Sequence, residues 1–347
     1  MNSGGYILKL IVLGFGNVGQ ALAELLLKKK HEINKTFGLR LDVISVVDSK
    51  GYALFESGLN LSELLYTKKR YGTVAKHEKW GSNELDAIEI IKDYDADILV
   101  EMTPTNIIDG EPGLSYIKSA FSTNKHVVST NKGPFALDYK GLITQAHQKG
   151  LNIKISGTVG GATPMIDFAK KCIIANNVIG IEGILNGTTN HILTKMHMEG
   201  QRFEEALVDA QKMGIAEDDP SYDIEGIDAA CKLTILANSI MRRSVTINDV
   251  ETKGIVDITP AQIKDAKNRG NAIKLICAIK KNISVKPMEI PLNSPLCVHG
   301  TLNVIKYSTE FAGDFFLIGA GAGGKETATA VIRDIIDIAH KIGEVKI

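Results

Sequence analysis

Cysteine is scarce in this chain: Cys172, Cys231, Cys277 and Cys297 are the four among 347 residues, and no two form a CxxC pair. That excludes a dense disulfide framework and a clustered thiolate zinc site, and it suits a reducing interior. Net charge is absent as well, with 40 basic residues against 40 acidic, so composition makes no case for a non-specific nucleic-acid binder. No apolar run approaches the roughly 20 residues of a membrane span. Met1 to Gly5 carries no basic segment leading into an apolar signal core. The expectation is a cytoplasmic protein that engages neither nucleic acid nor membrane. Hexapeptide, helical and propeller repeats are missing too. What is present is length: 347 residues is about twice the usual single domain, so two domains are expected.

The first motif is local and well framed. Tyr6 to Leu13 is apolar and branched apart from Lys9, and Gly14-Phe15-Gly16-Asn17-Val18-Gly19 follows before a helical run from Ala21. A GxGxxG between a strand and a helix lets a pyrophosphate approach the backbone and sit on the helix N-terminus. The spacing therefore predicts a dinucleotide site. A second strand over Leu41 to Val47 ends at Asp48, with the lysine-rich KKKHEINKTFG stretch as the insertion that lengthens the interval. A carboxylate there accepts ribose hydroxyls and repels a 2′-phosphate, which favours NAD; Lys50, just past Ser49, could neutralise that phosphate and keeps NADP open.

Further strands end at polar loops. Asp97 to Glu101 leads into Met102-Thr103-Pro104, and Lys125 to Ser129 leads into Thr130-Asn131-Lys132. Ligands of doubly wound sheets lie beyond the carboxyl ends of the strands, so Thr103 and Pro104 are expected to border the nicotinamide and Lys132 to sit at a position suited to chemistry. A polar helix is expected over Asp138 to Lys149. Beyond Leu151 the pattern changes to strand-like runs near Val178, Asn271, Ile283 and Gly300, interrupted by helices. The fold class read from this is α/β, a Rossmann-type doubly wound nucleotide domain joined to an α+β substrate and dimerisation domain. The expected limits are 1–150 for the nucleotide domain, 151–318 for the second, and 319–347 as a return of the chain to the first.

Asp228 and Lys232 fall four apart on one helical face. Oxidising an alcohol requires hydride departure and proton loss, and an amino-acid substrate needs groups of both signs to hold its ends. Lys132, Lys232, Glu217, Asp223 and Asp228 could supply these roles if the fold brings them together. Spacing alone leaves the acidic residues equally readable as a solvated surface.

Four segments carry a wider likeness: TNKGPFA at 130–136, TVGGATP at 158–164, NGTTN at 186–190 and EDDPSYDIEGIDAACK at 217–232. With the glycine turn they resemble homoserine dehydrogenase, in its monofunctional form without aspartate-kinase or ACT domains. The resemblance implies reversible oxidation of L-homoserine to L-aspartate 4-semialdehyde with NAD or NADP, in threonine, isoleucine and methionine biosynthesis, by a homodimer. It implies that Lys132 is the principal acid/base and a neighbour of the cofactor, that Lys232 orients substrate, and that Asp228 helps orient the amine or the substrate. Gly187, Thr188, Glu217 and Asp223 are implied as substrate contacts and Gly323 as a cofactor contact. The carbonyls around Val159 and Gly161 are implied to hold Na+ or K+, with Ser156 standing where the family often has a glutamate. A dehydrogenase for another small amino or hydroxy acid, or a non-catalytic NAD(P) sensor, would share part of this pattern.

Overall fold

The computed structural model describes residues 6–84 and 86–343. The expectation drawn on Met1 to Gly5, and positions 344–347 of the expected return, lie outside the described residues. The chain forms two compact units, one running to Thr158 and resuming at Gly323, the other spanning Val159–Ala322.

The first unit begins with β1 (Tyr6–Leu13), α1 (Asn17–Phe37) and β2 (Leu39–Asp48). The lysine-rich stretch is the second half of α1, so the long interval before Asp48 comes from extra helical turns. Gly38, at φ 61°, ends the helix in the left-handed region that glycine adopts without strain. Then come β3 (Gly51–Leu54), α2 (Leu61–Tyr71), β4 (Gly81–Ser82), α3 (Ala87–Asp93) and β5 (Ile98–Glu101). After these follow α4 (Gly113–Ser122), β6 (His126–Ser129), α5 (Gly133–Gln148) and β7 (Ile153–Lys154). The sheet order is β4-β3-β2-β1-β5-β6-β7. β2, β1, β5, β6 and β7 pair in parallel, while β3 and β4 add an antiparallel edge. The central strands are buried Leu, Ile and Val, as a sheet covered on both faces demands. The order reverses at β1, and that places a ligand crevice at its carboxyl end.

The second unit contains α6 (Met165–Asp167), β8 (Val178–Ile184), α7 (Gly187–Glu199), α8 (Phe203–Lys212), α9 (Ser221–Ile224) and α10 (Ile227–Ser239). It continues through β9 (Glu251–Thr252), α11 (Pro260–Asn268), β10 (Asn271–Ile279), β11 (Ile283–Pro291), β12 (Leu302–Thr309) and β13 (Gly313–Ala320). Its sheet runs β13-β12-β8-β10-β11-β9, and every pairing is antiparallel except β9 with β11. α10 is buried along almost its whole length, including Asp228 and Lys232.

The chain re-enters the first unit as α12 (Gly324–Lys341), whose Val331, Ile335 and Ile338 join Leu22 and Leu26 of α1 in one core. Among the described residues no helix is long and apolar enough to cross a membrane.

Candidate active site

At the carboxyl end of β1, three glycines do three different jobs. Gly14 stands at φ 92°, and a Cβ on it would come within 2.4 Å of the Met102 carbonyl oxygen. A Cβ on Gly19 would lie 2.2 Å from the Gly14 oxygen, so that glycine lets α1 close onto the turn. Gly16 is the opposite case: a Cβ there would meet nothing within 4 Å. No side chain caps α1 at Gly16, and its first turn carries no acidic residue. The amides of Asn17, Val18 and Gly19 thus face an open, uncapped helix start, which suits a pyrophosphate. Gly324 packs against the same turn, where a Cβ would lie 2.9 Å from the Asn17 oxygen, and this brings its neighbour Gly323 to the rim.

Asp48 does end β2, but its carboxylate is already taken. One oxygen accepts from the Lys50 amide at 2.9 Å and the Thr73 hydroxyl at 2.9 Å. The other accepts from Lys68 Nζ at 2.7 Å and the Val74 amide at 2.9 Å. Four donors fill a carboxylate's roughly four acceptor sites. Burial pushes this carboxyl up, but Lys68, the two amides and Thr73 outweigh it and hold it below its ordinary range. The expected free acceptor for ribose hydroxyls is therefore absent at Asp48, and so is the unpaired charge that would repel a 2′-phosphate. Ser49 and Lys50 are exposed at the turn into β3.

The ends of β5 and β6 are tied together by Glu101, which is wholly buried. It accepts from the amide and hydroxyl of Thr103, from Ser129 Oγ at 2.8 Å and from Asn131 Nδ2 at 3.4 Å. Burial raises its pKa, and these donors only partly counter that. Asn131 also bonds the Pro104 carbonyl and accepts from the Gly133 amide. Half-buried Lys132, whose own amide reaches Thr105 Oγ1 at 3.4 Å, is fixed between these contacts at the start of α5. Thr103, Pro104 and Lys132 thus share one loop cluster; no sequence pattern pointed to Glu101 beneath them.

In the second unit, β8 delivers the chain to Asn186, the cap of α7. Its Oδ1 accepts from the Thr189 amide at 2.8 Å, the usual capping bond. Its Nδ2 donates to Asp223 at 2.6 Å and to Asp228 at 2.9 Å. Lys232 Nζ donates to the same Asp228 oxygen at 2.7 Å and to the Leu185 carbonyl at 2.7 Å. Asp223, Asp228 and Lys232 therefore do come together. Burial raises the Asp223 pKa, the Asp228 charge adds to this, and Asn186, Thr188 and Lys232 oppose it. Burial would lower Lys232, but Asp228 and then Asp223 more than offset it, so the ammonium is held charged.

Thr188 Oγ1 bonds the Ile215 carbonyl at 3.1 Å and anchors the loop that carries Glu217. Glu217 itself is exposed; its carbonyl accepts from Gln211, and its carboxylate makes no hydrogen bond into the cluster. Gly187 packs so closely on the Thr301 carbonyl, 2.8 Å from a would-be Cβ, that a side chain is excluded.

Gly160 and Gly161 both have positive φ, at 90° and 55°. Within that turn the Gly160 carbonyl accepts from Thr163, and the Thr163 carbonyl from Met165. Ser156 binds Asp334 through its amide at 2.9 Å and its hydroxyl at 2.7 Å. Among the described residues no group of three His, Cys, Asp or Glu side chains is placed to hold a metal.

The sequence pattern of the family described as homoserine dehydrogenase matches residues 164–336, and that of glutamate/leucine/phenylalanine/valine dehydrogenase matches residues 6–123. The homoserine dehydrogenase of Methanocaldococcus jannaschii is 45% identical over 95% of this chain and 98% of its own length. The NAD(+)-dependent homoserine dehydrogenase of Pseudomonas canavaninivorans is 36% identical over 95% of this chain and 96% of its own. A hyperthermophilic archaeal homoserine dehydrogenase solved with NADPH superposes with a TM-score of 0.84 at 30% identity, covering 97% of this chain and 98% of that one.

Proposed function

The chain belongs to the homoserine dehydrogenase family, and on that premise we propose which of its residues carry the NAD(P)-dependent interconversion of L-homoserine and L-aspartate 4-semialdehyde. The observation that supports the assignment most directly is the Asn186–Asp223–Asp228–Lys232 cluster. Two carboxylates and one ammonium are joined there through the Asn186 amide, and Asp223 and Asp228 give the acidic groups that an ammonium group of the substrate needs. Asp223 receives that ammonium together with the Gly187-Thr188 turn. Lys232 spends two of its three N–H groups on Leu185 and Asp228 and offers the third to a substrate oxygen. Its raised pKa makes it a poor base near neutrality, which favours the orienting role. Lys132, fixed between two strand ends, takes the hydroxyl proton in the forward direction and returns it in reverse. Glu217 contributes through its loop. NAD(P) supplies the hydride acceptor, and Gly14 to Gly19, the 48–50 turn, Thr103, Pro104 and Gly323 hold it.

With Asp48 saturated and paired to Lys68, nothing at the end of β2 excludes a 2′-phosphate, so our reading is that both cofactors are used with modest discrimination. The basis for a preference for NAD falls away with the free carboxylate. The carbonyls of Val159 and Gly161 remain the candidates for Na+ or K+, since those of Gly160 and Thr163 are consumed within the turn. We also read the protein as a homodimer. Leu302, Phe316 and Ile318, on adjacent strands β12 and β13, are 41%, 38% and 51% exposed, an apolar surface suited to a second copy; sedimentation should return the dimer mass.

The test is steady-state NADH and NADPH formation from L-homoserine by wild type, Lys132→Ala, Lys232→Ala and Asp228→Ala, with and without Na+ and K+. We expect kcat to fall by about 10²–10⁴ when the base is removed. Near-normal turnover in all three folded variants would overturn the assignment, and activity indifferent to both cations would set the cation site aside.

A further inference from the structure

We propose that Lys274 is a positioning residue for the substrate site: from β10 it holds α7 by Asn190 and Thr194, and so fixes where the Asn186 cap and the Gly187-Thr188 turn of that helix face. The inference rests on the reading above, in which that turn receives the substrate. Lys274 is wholly buried, a rare place for a lysine. Its Nζ donates to Asn190 Oδ1 at 2.8 Å and to Thr194 Oγ1 at 3.1 Å, with His299 Nδ1 at 3.5 Å as a longer third contact. Among the described residues no carboxylate pairs with it.

The directions of these bonds are set by the other ends of the same groups. Asn190 Nδ2 donates to the Leu302 carbonyl at 2.9 Å, which leaves Oδ1 facing Lys274 as an acceptor. The Thr194 hydroxyl donates to the Asn190 carbonyl at 2.7 Å, so its oxygen accepts from Lys274 and, at 3.1 Å, from the Gly300 amide. Asn190 and Thr194 stand four apart, on one face of α7. Held at two points a turn apart, the helix is fixed in rotation as well as along its axis. Asn190 lies one turn past Asn186, so this setting is passed to the cap and the turn. Gly187 leaves no slack there, because it packs directly on the Thr301 carbonyl, between the two residues that bond Thr194 and Asn190.

A buried ammonium is costly, and a methionine of similar length would fill the same space without that cost. Hydrogen bonds are what the lysine adds. Burial holds the Lys274 pKa down at about 8, with Cys297 opposing. Losing one proton still leaves two, enough for Asn190 and Thr194, so the anchor works in either state of the amine. The groups packed around it bring no competing charge. Burial lowers His197 on α7, helped by Lys267, Lys274 and His299, and burial followed by Lys274 lowers His299. Burial raises Cys297, with Lys274 opposing. All three are neutral near pH 7, and Lys267 on α11 reaches the His197 carbonyl at 3.3 Å.

Lys274→Met keeps the bulk and removes the donors. The KM for homoserine should rise about tenfold, the effect of losing one or two such hydrogen bonds, with the KM for NAD(P) within about twofold. Thr194→Val should raise the homoserine KM about threefold or more, and Thr194→Ser, which keeps the hydroxyl, should return it to within about twofold of wild type. This pair carries the test if the methionine protein folds poorly. An unchanged homoserine KM in folded Lys274→Met overturns the proposal. So does an equal rise in both KM values, which marks a general loosening, or a serine variant as impaired as the valine one. Asp223→Asn is run alongside. If it raises the homoserine KM and Lys274→Met does not, this proposal fails while the substrate site stands; if both leave KM unchanged, the substrate reading has failed.

Discussion

Asp48 at the end of β2 and the Asp223–Asp228 pair beside α10 are both carboxylate sites facing a lysine, and they differ in the donors that surround them. Asp48 receives a lysine, a hydroxyl and two amides for one negative charge. In the second unit Asp223 and Asp228 share the Asn186 amide, and Lys232 bonds Asp228. A closed arrangement is what a structural joint requires, since leftover buried charge costs stability. Strand-end position marked Asp48 as functional, and the i,i+4 spacing of Asp228 and Lys232 marked the other place; the partners decide between them.

Removing the lysine from each cluster should expose this difference. In the second unit, Lys232→Met removes the buried ammonium bonded to Asp228, which should cost about 3–5 kcal/mol of folding stability and abolish measurable turnover. Thermal unfolding and initial rates read both, and a variant that retains a tenth of wild-type kcat would show that the ammonium is not needed. Next in size is Asp223→Asn. Losing a charged hydrogen bond to the substrate ammonium is worth about 1.5–3 kcal/mol, so KM for homoserine should rise about 10- to 100-fold. Because the Asp223 pKa is raised, homoserine binding in wild type should weaken as pH falls through that raised value. The asparagine variant should lose this part of the pH profile.

The sequence made one half of this contrast readable. The glycine turn, the parallel strands, Lys132 at a strand end and the i,i+4 pair Asp228–Lys232 depend on local patterns, and local patterns survive in a single chain. The partners of Asp48 do not: Lys68 and Thr73 lie 20 and 25 positions away, in the β3–α2–β4 segment that bears no motif. Asn186 sits inside a motif that was visible, but its donor end is set by a capping geometry that only the start of α7 fixes. Glu101 was hidden for the same reason, since its donors come from two strand ends that meet in the sheet. The expected helix start at Asp138 has a physical counterpart. α5 begins at Gly133 but breaks at Asp138 (φ −140°, ψ 50°), where the Asp138 carboxylate accepts from the Gly141 amide at 3.0 Å and restarts the helix as a cap would.

The smallest expected effect belongs to the closed arrangement. Lys68→Met removes its cation but leaves Asp48 three donors, so the stability cost should be about 1–3 kcal/mol. Its pH dependence has a definite sign. The folded pKa of Asp48 lies below its ordinary 3.8, so the stability this carboxylate contributes is present above the unfolded value and lost as pH falls through the folded one. The substitution raises the folded value, hence the variant's deficit should be full near neutrality and vanish in acid. Cofactor binding supplies the second reading. With its charge uncompensated, Asp48 should repel a 2′-phosphate, and calorimetric binding of NADP should weaken relative to NAD, by about tenfold if the change is worth roughly 1.4 kcal/mol. An unchanged NADP-to-NAD ratio would mean that the 2′-position of the ribose does not sense Asp48, and that the turn at Ser49 and Lys50 governs the choice of cofactor.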